Sequence, residues 1–345
     1  GDGSEYWNRI ASAGWQVTDV SLETYAAAAQ LINDRGIHVL VDLDGWMKGR
    51  RPEILSLRPA RAQILFLGFP GSTGAPYMDG FVSDRVTSPP ETAHLFSESL
   101  LLMPGTYQVN HYRASFTEVV ADSRPAPSRS ELKLPEGRVV LHNSNQLYKL
   151  DPESLAVWVN ALQMAEGRAV LWLVRFPEQA ANNTDLHLKQ LGVSANDVVW
   201  ADRAPKMDHI HRSRAADLFL DNLVVNAHTT ASESLWAGLP IATTPGTRLA
   251  SRVAASLLNM VEMSELIARS PHDMAHLVAQ LARHPHRLAG LRQRLTGNRL
   301  HSALFDAPQW MRQWERLLLT LWETAIAAEA TPHIVVARQP NESGP

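Results

Sequence analysis

From residue 138 onward, short apolar runs alternate with helix-length amphipathic runs, and few folds accommodate that rhythm. The segments 138–141, 169–174, 198–201, 218–220 and 240–243 have the length and composition of strands. Between them, 152–164, 209–216 and 231–237 have helical spacing. Strands alternating with helices build parallel sheets through right-handed crossovers. The front of the chain repeats the pattern in shorter form. Its Ala-rich segment 22–33 predicts an amphipathic helix, and Gly36 follows as a C-cap. The segments 37–41, 62–66, 81–84 and 100–103 read as strands. Leu67-Gly68-Phe69-Pro70-Gly71 is a turn by its Gly and Pro content.

A polar, Pro-rich stretch without periodicity, 121–130, separates the two series. Near the end, Trp310, Trp314, Leu317, Leu318, Leu321 and Trp322 fall on one helical stripe, the signature of a packing face. The expected organisation is an α/β protein with a first lobe over 1–120, a linker over 121–135 and a second lobe over 136–302. An amphipathic helix over 303–330 and a flexible tail over 331–345 complete it. A length of 345 residues gives each lobe room for its own core. The balance of 32 Lys+Arg against 35 Asp+Glu argues against a nonspecific nucleic-acid binder. The absence of cysteine excludes disulfides, thiolate metal sites and cysteine catalysis. No apolar run approaches the roughly 20 residues of a membrane span, and no signal peptide opens the sequence. A soluble, cytoplasmic protein without nucleic-acid or membrane partners is expected.

The chemistry concentrates where strands give way to helices, the places at which α/β proteins bind phosphate-bearing ligands. Asn145-Gln146-Leu147-Tyr148-Lys149 leads into a helix whose N-cap and first residue are Asp151 and Pro152. Lys149 is either a solvated lysine or a mobile point charge for a diphosphate. The pair Leu147-Tyr148, read as an anchor for the loop, favours the second. Ala204-Pro205-Lys206 precedes a helix whose polar face starts at His209, with Arg212 one turn on. Taken alone, those residues form a solvent face. His228-Thr229-Thr230 opens a short helix ended by Gly238. One of the threonines is a natural N-cap, and a capped helix needs no ligand. The same hydroxyls and N–H groups also suit an anion, which the helix dipole favours by about 0.3–2 kcal/mol.

Taken together, "NQLYK", "LWLVRFP", "APKxxH", "HTT…LWAGLP" and "LASRVAASLL" resemble, in this order, the protein O-GlcNAc transferase family. Its members move N-acetylglucosamine from UDP onto Ser or Thr. The first lobe adds "GIHVLVDLDGWMKGRRPEILSLRPARAQ", "LGFPGSTGAPYMD" and "SDRVTSPPE", so the likeness runs from about residue 36 to residue 322. It implies a GT-B fold, two Rossmann-like lobes with the nucleotide sugar between them, and neither an essential metal nor a cofactor. Gln146 and Lys149 would contact UDP-GlcNAc, with Lys149 steadying the departing diphosphate as the catalytic residue. Ala204, Pro205, Lys206, His209 and Arg212 would line the uridine side. His228, Thr229 and Thr230 would hold the diphosphate, and Glu233, where the family has Asp, the ribose. Lys48, Leu67, Gly68 and Pro70 would face the sugar and the acceptor, Met47 standing there in place of a family Thr.

The short linker resembles bacterial members, which lack the large inter-lobe insertion. The family also carries a His-Pro-x-x-x-His-like segment and tetratricopeptide repeats upstream of the first helix read here. The likeness therefore implies a longer protein whose upstream part holds the catalytic base and helps to capture Ser/Thr-containing protein acceptors. By itself this stretch is expected to be poorly soluble and inactive in transfer. Two alternatives stand beside the transferase. One is a catalytically inactive UDP-binding or scaffold homologue. The other is a Mg²⁺-dependent phosphohydrolase of the haloacid dehalogenase type, because an apolar strand ends in Asp42-Leu43-Asp44-Gly45. That signature continues with Thr or Val, where this chain has Trp46.

Overall fold

The computed structural model describes residues 3–121, 124–327 and 333–336. Two five-stranded parallel sheets organise it. The first has the order β1 (Val39–Asp42), β2 (Ala62–Leu65), β3 (Gly80–Asp84), β4 (Ser99–Met103), β10 (Ile334–Val335). The second runs β7 (Val198–Ala201), β6 (Ala169–Val174), β5 (Val139–Asn143), β8 (Leu218–Leu220), β9 (Ile241–Ala242). Its central register pairs Leu141 with both Leu171 and Leu218. Strands β5, β6 and β8 are buried throughout, as parallel strands covered on both faces must be. The order reverses between β5 and β8, which makes that gap the topological switch point.

Local chemistry sets the element ends. The Thr24 side chain accepts from the Ala27 N–H, so the Ala-rich helix starts at Tyr25. Asp151 caps Pro152–Met164 through the Ser154 N–H, with Pro152 at the first turn. The helix expected over 209–216 spans Lys206–Ser213 instead. Pro205, extended at the N-cap position, lets it begin three residues earlier.

The terminal stripe is a packing face. Within Ala307–Ala327, Leu317 and Leu321 are fully buried, and Trp310 and Trp314 lie 5.6 and 4.7 Å from the Phe66 ring. That helix carries the chain back to the first lobe. The expectation of a flexible tail over 331–345 fails where the structure describes it. Ile334 and Val336 are buried, and Ile334–Val335 adds a strand beside β4. Two β-branched side chains had a sheet edge to cover. The remainder of 331–345 lies outside the described residues. The described part of the linker is docked on the second lobe, with Arg129 pairing with Asp217 at 2.6 Å.

"SDRVTSPPE" sits at the seam between lobes. Asp84, fully buried, accepts from the N–H groups of Val86, Thr87 and Tyr107 and from the Thr87 hydroxyl. The hydroxyl of Ser256, from helix Val253–Met260 of the second lobe, donates to the same carboxylate at 2.9 Å. Nearby, Arg252 Nε donates to the Val86 carbonyl at 2.8 Å. The motif therefore joins the lobes rather than lining a site.

Candidate functional site

A cleft of about 780 Å³ opens between the lobes, at the C-terminal ends of β5, β6 and β8. Gln146, Lys149, Ala204, Lys206, His209, Arg212, His228, Thr229, Thr230 and Glu233 line it from the second lobe. Leu67, Gly68 and Pro70 line it from the first, with Met47 beside them. Two of the residues singled out in the sequence do not: Pro205 is exposed at the N-cap of the helix that carries Lys206, His209 and Arg212, and Lys48 is exposed in its turn.

Strand β5 ends at Asn143, and Leu147–Lys149 forms a single 3₁₀ turn before the next helix. Leu147 is buried and anchors this turn, whereas Tyr148 is 70% exposed and anchors nothing, contrary to the reading of the pair. Burial lowers the affinity of the Lys149 ammonium for its proton, and the Asp221 carboxylate opposes that. Burial likewise pushes Asp221 up to about 7 against hydrogen bonds from Ala227, Thr243 and Asn222 and the charge of Lys149.

Helix Thr229–Ala237 departs from the expected capping. His228 occupies the N-cap position without a side-chain cap, and the threonines are the first two helical residues. Among the described residues neither threonine hydroxyl has a hydrogen-bond partner, so both are free for a ligand at the positive end of the helix. His228 Nε2 lies 3.1 Å from the Ala250 carbonyl, and burial holds its pKa down to about 4. The ring is therefore neutral and donates from Nε2, leaving Nδ1 as an acceptor.

Lys206 opens its helix 3.4 Å from Glu233 and 5.1 Å from the centre of the Tyr112 ring. His209 Nε2 lies 3.8 Å from Glu233, but burial, with Arg212 and Lys206 nearby, lowers its pKa to about 4. That contact is a neutral ring beside a carboxylate, not an ion pair. Burial raises Glu233, while Lys206 and the Tyr112 hydroxyl stabilise its charged form. Arg212 donates to the Asp202 carbonyl at 2.7 Å, leaving its Nε buried without a partner.

The first-lobe wall is backbone packed on backbone. A Cβ on Gly68 would lie 1.9 Å from the Leu43 carbonyl oxygen, so only glycine fits. Leu67 before it takes φ +69°. Asp42 spends its carboxylate on the turn after β1, accepting from the N–H groups of Asp44 and Gly45 at 2.9 and 3.1 Å. Among the described residues no group of three or more His, Asp or Glu is placed to hold a metal ion.

Sequence reasoning missed Ser144, whose buried Oγ has no partner, and Arg203, stacked 4.3 Å over Phe176; both line the cleft. Their adjacency to "NQLYK" and "APK" was the available signal. Tyr112 and Phe116 beneath Lys206 gave none, since they come from a segment about ninety residues earlier.

Known proteins resemble this chain in sequence and fold. The profile of glycosyl transferase family 41 matches residues 1–124 and 110–314. A probable UDP-N-acetylglucosamine–peptide N-acetylglucosaminyltransferase of Arabidopsis thaliana is 36% identical over 336 residues, 97% of this chain and 34% of the relative. The corresponding Caenorhabditis elegans enzyme is 26% identical over 439 residues, 96% of this chain and 38% of the relative. A structure of Thermobaculum terrenum O-GlcNAc transferase, a point mutant, superposes with TM-score 0.82 at 26% identity, covering 94% of this chain and 61% of that one. Anabaena HepE, solved with UDP and glucose, shares the fold at TM-score 0.59 and 12% identity, over 88% and 84% of the two chains. The chain spans about a third of the length of the curated relatives it matches. Among the described residues no helix is long and apolar enough to cross a membrane. The two lobes are those of a GT-B glycosyltransferase, and the chain belongs to glycosyl transferase family 41.

Proposed function

We propose that this chain is the donor-binding and catalytic region of an inverting transferase that moves N-acetylglucosamine from UDP-GlcNAc to Ser or Thr hydroxyls of proteins without a divalent cation. The observation that carries this reading is the convergence of Lys149, the unpartnered threonine hydroxyls of a helix N-terminus and Lys206 in one cleft of a family 41 chain. An attacking hydroxyl forms a bond to the anomeric carbon and gives up its proton to a general base, while the bond from that carbon to the β-phosphate oxygen breaks. Negative charge grows on the departing UDP. Lys149 and the first-turn N–H groups and hydroxyls at Thr229 and Thr230 are placed to stabilise it. Holding donor and acceptor in line supplies the rest of the rate. The neutral His209 ring and Arg212 suit the uridine, and Glu233 with Lys206 the ribose. Protein acceptors, cytoplasmic location and metal independence belong to the same proposal. The names of the relatives support the first, the cysteine-free composition the second, and the cationic, hydroxyl-lined cleft the third.

The test is UDP release from UDP-GlcNAc by the full-length protein with a Ser/Thr-containing protein acceptor. Removing one preorganised donor aimed at developing charge costs about 10²–10³ in rate, so Lys149→Ala should lose nearly all turnover while remaining folded. A variant keeping more than about a third of turnover, against that loss, removes Lys149 from the mechanism. Asp42→Asn should be mild by comparison; a phosphohydrolase would show the reverse order.

A further inference from the structure

The loop after β5 and the loop after β8 flank the switch point, and one side chain ties them together. We propose that Asn222 is a positioning residue that holds Lys149 and the turn at His228 in one frame, and so sets how the cleft grips a diphosphate. For its ligand the proposal rests on the functional reading above.

Asn222 is 1% exposed and does not line the cleft. Its Oδ1 accepts from Asn143 Nδ2 at 2.9 Å and from Asn145 Nδ2 at 2.8 Å, both at the end of β5. Its Nδ2 donates to the Lys149 carbonyl at 2.9 Å. One amide therefore takes both its acceptor and its donor partners from the Lys149 loop. The backbone of Asn222 fixes the other loop. Its N–H donates to Asp221 Oδ1, which also accepts from the Ala227 N–H at 2.7 Å, one residue before His228. Its carbonyl accepts from Asn226 Nδ2 at 2.6 Å, and the Asn226 N–H reaches the Ala250 carbonyl, the group that also meets His228. From Lys149 to His228 the connection runs through buried hydrogen bonds. No apolar side chain could replace the amide without leaving Asn143, Asn145 and the Lys149 carbonyl each short of a bond. In a buried setting such unmade bonds move a loop rather than being taken up by water. An ångström of displacement at Lys149 is enough to weaken its hold on a phosphate.

A double-mutant cycle on UDP affinity, measured by calorimetry, separates this role from a general effect on folding. Asn222→Ala should weaken UDP binding by about tenfold, within the coupling that residues of one hydrogen-bond network show. In a Lys149→Ala background the same change should cost no more than about twofold, the margin within which independent sites add. Thermal melts of every variant are run alongside. If Asn222→Ala does not fold, Asn222→Ser takes its place with the same expectation, since it adds no charge beside Asp221 and its hydroxyl can keep an accepted bond. An equal loss in both backgrounds, or no loss in the first, overturns the positioning role while leaving the functional reading intact. A wild-type protein that binds no UDP overturns the functional reading itself, and this inference with it.

Discussion

Asp84→Asn tests whether one buried carboxylate holds the lobes together. Oδ1 of Asp84 accepts from the N–H groups of Val86 and Thr87 at 2.9 and 2.8 Å. Oδ2 accepts from the Thr87 hydroxyl, the Tyr107 N–H and the Ser256 hydroxyl at 2.9, 3.1 and 2.9 Å. The substitution keeps the volume, but its new NH₂ group must face one of these sets. Turned toward Oδ2's partners, it orphans the Tyr107 N–H, while the two hydroxyls can rotate and accept. Turned the other way, it orphans two backbone donors. The first arrangement is cheaper. It leaves one buried donor unsatisfied, about 1–3 kcal/mol, and weakens the surviving bonds from charge-assisted to neutral. Burial raises the Asp84 pKa, so losing the charge returns part of that cost. The net expectation is a loss of about 2–4 kcal/mol, a large share of the 5–15 kcal/mol typical of a folded protein. Guanidinium denaturation at pH 7 reads it from the midpoint at unchanged slope. A variant within about 0.5 kcal/mol of wild type, the usual range of an inconsequential surface change, would refute the reasoning.

Two further outcomes concern the second lobe. Thr229→Val and Thr230→Val remove hydroxyls that cap nothing, so stability should change by less than about 0.5 kcal/mol, while UDP affinity falls roughly tenfold or more for a lost hydrogen bond to a charged group; a loss of about 1 kcal/mol in stability, the value of an N-cap, would restore them as caps. Burial, with His209 nearby, depresses His142 to about 3, against a bond to the Trp172 carbonyl. Between the ordinary histidine value and that one, the unfolded chain binds a proton the native state does not, so native stability drops as pH falls through this window. His142→Leu removes that term, and its stability relative to wild type should improve by up to about 1.4 kcal/mol per pH unit between pH 6.5 and 4. Denaturation curves at several pH values check it, and a flat difference would refute it.

The second lobe was the most legible part of the sequence. Strands 169–174, 198–201 and 218–220 and helix 152–164 lie where the pattern placed them. Buried parallel strands are apolar along their whole length, and Asp151-Pro152 marks its helix start chemically. Helix Glu178–Gln190 was not read because it buries only Ala181, Thr184 and Leu188 and has no apolar stripe to find. The strand at Ile334–Val335 was hidden because its partner β4 lies more than 230 residues earlier. At the site, the residues announced themselves by their strand-to-helix junctions, but their partners did not. Nothing local in Asn222, Tyr112 or Asp84 says that it will meet Lys149, Lys206 or Ser256. Those pairings are set by how the sheets fold up, and so appear only in three dimensions.

The most direct measurement is a calorimetric titration of the protein with UDP in EDTA, repeated with excess Mg²⁺. Lys149, Lys206 and the N-terminus of helix Thr229–Ala237 all line the cleft. The expected result is saturable one-site binding whose affinity differs by less than about tenfold between the two conditions, or roughly 1.4 kcal/mol. Failure to bind UDP, or a larger loss in EDTA, would contradict a donor site built from the protein's own cations and dipoles.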